Sequence, residues 1–372
     1  MSKILVDISQ LALKKYTGIS YYLFYLLDNI EKSKRDNVIL LSPFREIPST
    51  FRSSYKVECW GIGKNAKDIN WFVTLKRNYL GYYFMHRMVN KISPDVFWGP
   101  NFVIPKGLNK SIRKFVHVHD MIIFNDRLKE QKYSFKKRIL GSIFLSQVRY
   151  SILNSDAILT VSNSVANRIN DFFPDHSLKI EIIYPGVDRK LFKYTKDTNK
   201  LSNYGINERF VMGINMRAQR KNFVKLVNAF EKVKANGFLC LVGTLSEEQI
   251  AYGKKTLGER FKYLGYISDE DLPVIYSAAN AIILSSSEEG FDLPAIEARA
   301  CGTPVIASDI DIHKEILDSE ADYFELDNEQ KLVELINNRL VNSKENLPSK
   351  IVEKYSWDLS AKKLIGLFIE MG

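Results

Sequence analysis

The sequence predicts an α/β protein made of two doubly wound domains, and three observations carry that prediction. Short apolar runs of strand length alternate with amphipathic helical stretches along the chain. The alternation restarts after a Pro-Gly turn at Pro185 and Gly186. At 372 residues the chain is long enough for two domains of ordinary size, each with its own core.

Residues 3–8 (KILVDI) read as a buried parallel strand. Gly18 falls in the following loop, just before an amphipathic helix, where it lets a ligand approach the backbone or simply makes a turn. Strands follow at 38–43 and 57–63. Residues 69–92 mix Trp71, Phe72, Tyr79 and Tyr82 with Lys76, Arg77, Arg87 and Lys91, and residues 129–152 carry six cations among large apolar residues. Both read either as helices lying on an anionic membrane surface or as core helices with solvated basic faces. Residues 95–101 and 114–124 read as strands reaching a sheet edge, with His119 and Asp120 at the mouth where open α/β sheets bind ligands. His117 and His119 are expected on opposite sides of their strand, His117 in the core. Strands at 157–164 and 179–188 complete the first sheet.

In the second half, a strand at 209–215 leads into the basic loop 216–222 and a helix. Arg217, Arg220 and Lys221 lie there after a strand and before a helix, where cations clamp a diphosphate. Further strands are expected at 238–243, 262–267, 281–286 and 303–308. The stretch 264–309 concentrates the chemistry. IILSSS empties a strand into a serine-rich loop, and LPAIEARACG is a helix opened by Pro294 and closed at Gly302. Backbone amides of Gly290, Phe291, Asp292 and Leu293 at that helix start suit an anion. Glu289 and Glu297, separated by seven residues, suit hydroxyls. Asp309 and Asp311 form an Asp-x-Asp after a strand end, read as a cap and turn rather than a metal site. Residues 355–371 form an amphipathic closing helix.

Charge is uneven. Residues 1–185 hold 28 Lys and Arg against 15 Asp and Glu, or +13, whereas residues 186–372 hold 25 against 28, or −3. The excess points to an anionic partner for the first half. No nucleic-acid module is recognisable, so an anionic membrane surface is the expected partner. Cys59, Cys240 and Cys301 are odd in number and widely spaced, as expected of reduced thiols in a cytoplasmic protein without a cysteine metal site. The first residues do not read as a signal peptide, and no apolar run reaches the roughly 18 residues of a spanning helix.

The motifs, taken in order, resemble the retaining glycosyltransferases of family 4. TGISYY (17–22), HD (119–120), TVSNS (160–164), YPGVD (184–188), RKN (220–222), LGYI (264–267), EGFDLP (289–294), EA (297–298), ACGTPV (300–305) and SW (356–357) fall in that family's sequence over nearly the whole chain. The resemblance implies a GT-B fold, two Rossmann-like doubly wound domains facing across a cleft. Residues 1–185 with a returning helix 356–372 would form the acceptor-side domain, and 186–355 the nucleotide-sugar domain. It implies transfer of a hexose, mannose from GDP-mannose first among donors, with retention and with neither metal nor other cofactor. The acceptor would be a glycan, and the basic aromatic stretches add the expectation of a lipid-linked oligosaccharide of surface polysaccharide synthesis on the inner face of the cell membrane. By position, Arg217 or Arg220 with Lys221 would hold the diphosphate, Gly18 would lie in the loop above the phosphates, and Glu297 would meet the ribose. Glu289 and the amides of Gly290, Phe291, Asp292 and Leu293 would meet the donor sugar, with His119 near the transferred group. Asp292 departs from the family's second glycine in EGFGLP, Ser285 to Ser287 replace its Pro-Ser, and TGISYY keeps one glycine of the usual pair. Competing readings are a nucleotide-sugar epimerase of the same architecture and a basic nucleic-acid-binding protein.

Overall fold

A computed structural model describes residues 2–11, 18–44, 47–63, 82–126, 135–174, 179–197, 199–342 and 349–371. The chain divides into two units, Met1–Pro185 with Trp357–Gly372, and Gly186–Ser356.

The first unit holds β1 (Ile4–Asp7), β2 (Val38–Phe44), β3 (Lys56–Gly63), β4 (Val96–Gly99), β5 (Arg113–Val118), β6 (Ala157–Thr160) and β7 (Lys179–Ile182). They form one parallel sheet in the order β3-β2-β1-β4-β5-β6-β7. Strands covered on both faces must be apolar along their whole length, and β1, β2, β4 and β6 are buried throughout. The closing helix Trp357–Met371 packs into this unit. Trp357 stacks on Tyr25 with ring centres 5.2 Å apart, and Phe368 meets Phe115 edge-on at 4.9 Å. Ser360 Oγ donates to the Tyr184 carbonyl at 2.6 Å, and Lys363 Nζ to that of Ile182 at 2.9 Å.

The second unit holds β8 (Phe210–Ile214), β9 (Phe238–Val242), β10 (Phe261–Gly265), β11 (Ala281–Leu284), β12 (Val305–Ser308) and β13 (Ala321–Phe324), again all parallel, in the order β10-β9-β8-β11-β12-β13. The strand order reverses between β8 and β11, so the loops leaving their carboxyl ends diverge and open a crevice.

Several boundaries differ from the sequence expectation. Residues 114–124 are not one strand: β5 stops at Val118, and Ile122–Asp126 is helical, opened by Asp120 Oδ1 accepting from the Ile122 amide at 3.0 Å. β7 ends at Ile182, because its partner β6 ends at Thr160, whose carbonyl takes the Ile183 amide at 2.7 Å. β13 was not expected, since its ADYF is short, half-buried and preceded by acidic residues. The Asp-x-Asp does not cap: Ile310 holds the N-cap position of the helix Asp311–Leu317, and Asp309 pairs with Lys314 at 2.5 Å instead.

Of the two basic aromatic stretches, residues 69–81 and 129–134 lie outside the described residues. The described part of the first is the helix Tyr82–Ile92, whose Met85 and Val89 are buried one turn apart while Arg87 and Lys91 are exposed. The second is the helix Phe135–Asn154, with Leu145, Val148 and Ile152 buried and Ile139 and Leu153 exposed. Among the described residues no helix is long and apolar enough to cross a membrane.

Candidate active site

The second unit gathers its buried acidic and basic side chains, Lys221, Glu289, Asp292 and His313, where the strand order reverses. After β8 the chain makes a single 3-10 turn, Gln219–Lys221, and Asn222 then adopts the left-handed conformation (φ 55°) before the helix Phe223–Glu231. Asn tolerates that conformation better than other non-glycine residues. The three serines after β11 stitch this turn in place. Ser285 Oγ donates to the Lys221 carbonyl at 2.7 Å, the Ser287 amide to the Arg220 carbonyl at 2.8 Å, and Asn222 Nδ2 returns a bond to the Ser285 carbonyl at 2.7 Å. Ser286 Oγ donates to Glu289 Oε1 at 2.8 Å.

Glu289, 9% exposed, therefore faces Arg220 and Lys221. Its Oε1 takes a hydrogen bond from Arg220 Nη1 and lies 2.7 Å from Lys221 Nζ. Arg220 also donates to the Glu288 carbonyl. Arg217 is exposed and outside this cluster, so Arg220 is the cation that the structure brings to Lys221 and Glu289. Lys221 Nζ reaches on to Asp292 Oδ1 at 3.2 Å. Burial disfavours the ammonium, but Asp292 and Glu289 more than offset it and hold the Lys221 pKa above its ordinary value.

The helix Leu293–Ala300 starts as expected, with Pro294 in its first turn. It ends in a Schellman motif: Gly302, at φ 70°, donates to the Arg299 carbonyl and Thr303 to that of Ala298. Its N-cap, Asp292, sits at φ 78° with no side-chain cap bond, because its carboxylate turns inward. Phe291 is buried edge-on against Tyr355 at 5.3 Å and is a packing residue. Gly290 is buried and Leu293 half-buried beside the helix start, where the first amides have no partner within the helix.

Glu297 points elsewhere. Its Oε2 accepts from Tyr276 Oη at 3.0 Å. Burial pushes the Glu297 carboxyl up to about 7; the Tyr276 bond opposes this and the Asp292 and Asp269 charges add to it.

In the first unit, His119 is buried beyond the end of β5. Its Nε2–H donates to the Pro100 carbonyl at 2.7 Å, and burial lowers its pKa to about 4, so it is a neutral imidazole offering Nδ1 as an acceptor. The expectation that His117 and His119 face opposite sides is corrected. Residues two apart on an extended chain share a face, and the two rings stack 4.5 Å apart at 12°. Tyr22 abuts both rings edge-on. Neither ring nitrogen of His117 has a hydrogen-bond partner among the described residues. Gly18 is exposed as the first residue of the helix Gly18–Asp28, where an added Cβ would meet nothing within 4 Å; residues 12–17 before it lie outside the described residues.

The sequence reading missed His313, Ser308 and Tyr276. All three meet the site across the sheet from 21 or more residues away, or through a buried face, and no local spacing marks them.

Residues 199–355 match the family described as glycosyl transferases group 1, and residues 16–191 match glycosyltransferase family 4. The O-antigen chain mannosyltransferase RfbU of Salmonella typhimurium is 27% identical over 59% of this chain and 61% of its own length. The O-antigen chain mannosyltransferase B of Escherichia coli is 28% identical over 58% and 57%. The matches thus span about three fifths of these relatives. Among solved structures, a sucrose-phosphate synthase of Thermosynechococcus elongatus superposes with a TM-score of 0.77 at 18% identity, covering 100% of this chain and 99% of that one. Anabaena HepE, solved in complex with UDP-glucose, superposes at 0.70 with 17% identity, covering 100% of each chain. Two doubly wound parallel sheets of this order and these likenesses define a glycosyltransferase of the GT-B fold. Within that class, the first half of the chain matches the model of glycosyltransferase family 4 and the second half that of glycosyl transferases group 1.

Proposed function

We propose that this protein moves a hexose, mannose first among candidates, from a nucleoside diphosphate sugar to a glycan acceptor, with retention of anomeric configuration and without a metal. The observation that carries the proposal is the pair Arg220 and Lys221, held around Glu289 at the carboxyl ends of β8 and β11. A departing diphosphate needs positive charge fixed in place before the bond breaks, and one such preorganised donor typically contributes about 3–4 kcal/mol to the rate. Arg220, Lys221 and the amides at the start of the helix Leu293–Ala300 are the groups proposed for it. Glu289 is assigned to the donor sugar and Glu297 to the ribose. His119 and Gly18 are assigned to the transferred sugar and the phosphates on the family resemblance. The mannosyltransferases among the relatives support the choice of mannose, the basic, aromatic-rich stretches 69–92 and 129–152 that of a lipid-linked acceptor, and HepE in complex with UDP-glucose a nucleotide-sugar donor.

A thermal-shift panel of GDP-mannose, UDP-glucose and related nucleotide sugars is expected to identify one donor by a rise in melting temperature. Transfer from that donor should persist in EDTA and give a product with the donor's anomeric configuration by NMR. Glu289→Ala should abolish transfer while the protein stays folded. Loss of turnover in EDTA with rescue by manganese would remove metal independence, and near-normal activity of Glu289→Ala would remove Glu289 from the chemistry.

A further inference from the structure

The side chains of Asp292 and His313 have no role in the reading above, yet they occupy its centre. An L residue at φ 78° is disfavoured where glycine is at ease, so Asp292 is held in that conformation by its surroundings. Its side chain is 1% exposed, with Oδ1 3.2 Å from Lys221 Nζ and Oδ2 3.1 Å from Nε2 of His313, which is itself fully buried. On the other side of the ring, Nδ1 of His313 lies 3.0 Å from the Ser308 carbonyl and 3.2 Å from the Ser308 hydroxyl. That hydroxyl donates its one proton to the Ser286 carbonyl at 2.5 Å. Ser286 in turn donates to Glu289, which closes a ring of hydrogen bonds running Glu289, Lys221, Asp292, His313, Ser308, Ser286.

Donor and acceptor counting around the imidazole is decisive. Nε2 faces a carboxylate and Nδ1 faces a carbonyl and a hydroxyl whose proton is committed elsewhere. A neutral ring has one donor only and would leave a lone pair against a lone pair, whereas a doubly protonated ring satisfies both sides. By charge, Arg220 and Lys221 match Glu289 and Asp292 one for one, so an imidazolium leaves the cluster with one positive charge in excess. Without a cation at His313, Lys221 would serve two carboxylates, Glu289 and Asp292, with Arg220 already shared with Glu289. Although burial pushes the Asp292 carboxyl up, Lys221 and His313 together hold it below the usual carboxylate range.

We propose that His313 is a positioning residue: as an imidazolium it neutralises Asp292, so that Lys221 keeps its positive charge for the diphosphate of the incoming ligand. The proposal rests on the donor reading above, and its test separates the two. Binding of UDP, GDP and inorganic pyrophosphate is measured by calorimetry to the full-length protein, to His313→Gln, to Asp292→Asn and to the double variant. His313→Gln should weaken binding roughly tenfold, because Asp292 then draws on Lys221. The double variant should return to within about threefold of the parent, because the competing carboxylate is gone. Asp292→Asn alone should bind as tightly as the parent or more tightly, and this variant decides the matter if His313→Gln does not fold. A role in packing alone predicts the reverse, with the double variant weaker than either single one. That result, unchanged affinity in His313→Gln, or loss in Asp292→Asn would overturn the proposal. A parent protein that binds none of the three probes would instead overturn the donor reading itself, and the role of His313 with it.

Discussion

At the scale of single residues, the two glutamates have opposite electrostatics although they share one motif. Glu289 is ringed by cations, whereas Glu297 has a tyrosine hydroxyl as its partner and a carboxyl pushed up to about 7. If Glu297 accepts from ribose hydroxyls it must be ionised to do so fully, so donor binding should weaken as pH falls through 7. The apparent KM for the donor, measured from pH 8 to pH 5.5, should rise towards the acid side, and Glu297→Gln should have a raised but flat profile. Stability changes in the opposite sense. The folded protein keeps this proton up to about pH 7, while the unfolded chain releases it near the ordinary 4.5, so the folded state binds more protons in between. Folding stability from this group is full below 4.5 and falls as pH rises to 7, by on the order of 3 kcal/mol. Glu297→Gln should thus melt higher than the parent at pH 8 and lose that advantage at pH 5; an equal difference at both values would contradict the buried, protonated carboxyl. Both glutamates were legible in the sequence because one loop and one helix turn fix their spacing. Their partners were not: Tyr276 reaches Glu297 from 21 residues away, and His313 meets Asp292 from another 21.

At the scale of elements, the sequence was most legible where chain chemistry is local and least where an edge is set by neighbours. Pro294 and Gly302 marked the two ends of the site helix correctly, since each acts through its own backbone. The strand drawn through 114–124 failed because apolar content continues past Val118 while the ladder does not: Asp120 turns its carboxylate onto the Ile122 amide and starts a helical turn. The serines at 285–287 read only as a polar loop, and their bonds to the Arg220 and Lys221 carbonyls became visible once β8 and β11 lay side by side. The helix end gives a clean test. Gly302 lies at φ 70° and its amide closes the Schellman motif, so Gly302→Ala keeps the hydrogen bonds and puts a Cβ on a left-handed residue. The expected cost is about 1 kcal/mol, read as a lower midpoint in urea with an unchanged slope. Donor KM should stay close to that of the parent, because Glu297 lies more than one turn before the glycine.

At the scale of the molecule, the two units divide the charge as they divide the fold. Residues 1–185 carry +13 by count and residues 186–372 carry −3. A net charge of this size on one sheet unit has no role in folding it, since like charges repel in the compact state. The partner proposed for it is an anionic membrane surface, since the cations of 69–92 and 129–152 are interleaved with aromatic and aliphatic side chains as a headgroup boundary requires. In the described part of the first stretch, Met85 and Val89 are buried, which leaves Arg87 and Lys91 as its outward contribution. Each Lys or Arg near an anionic leaflet contributes about 1 kcal/mol, and that attraction is screened within a Debye length of about 10 Å at 0.1 M salt. Flotation with vesicles containing phosphatidylglycerol should therefore recover the protein at low salt and release it as salt rises, while neutral phosphatidylcholine vesicles should leave it unbound throughout. Replacing Lys76 and Arg77 by serine, which lowers the first-half excess from +13 to +11, should shift release to lower salt without altering donor binding, to which neither residue is assigned. Equal recovery on neutral and anionic vesicles would point to apolar insertion instead of charge. No recovery on either would detach the basic half from membranes and, with it, the choice of a lipid-linked acceptor.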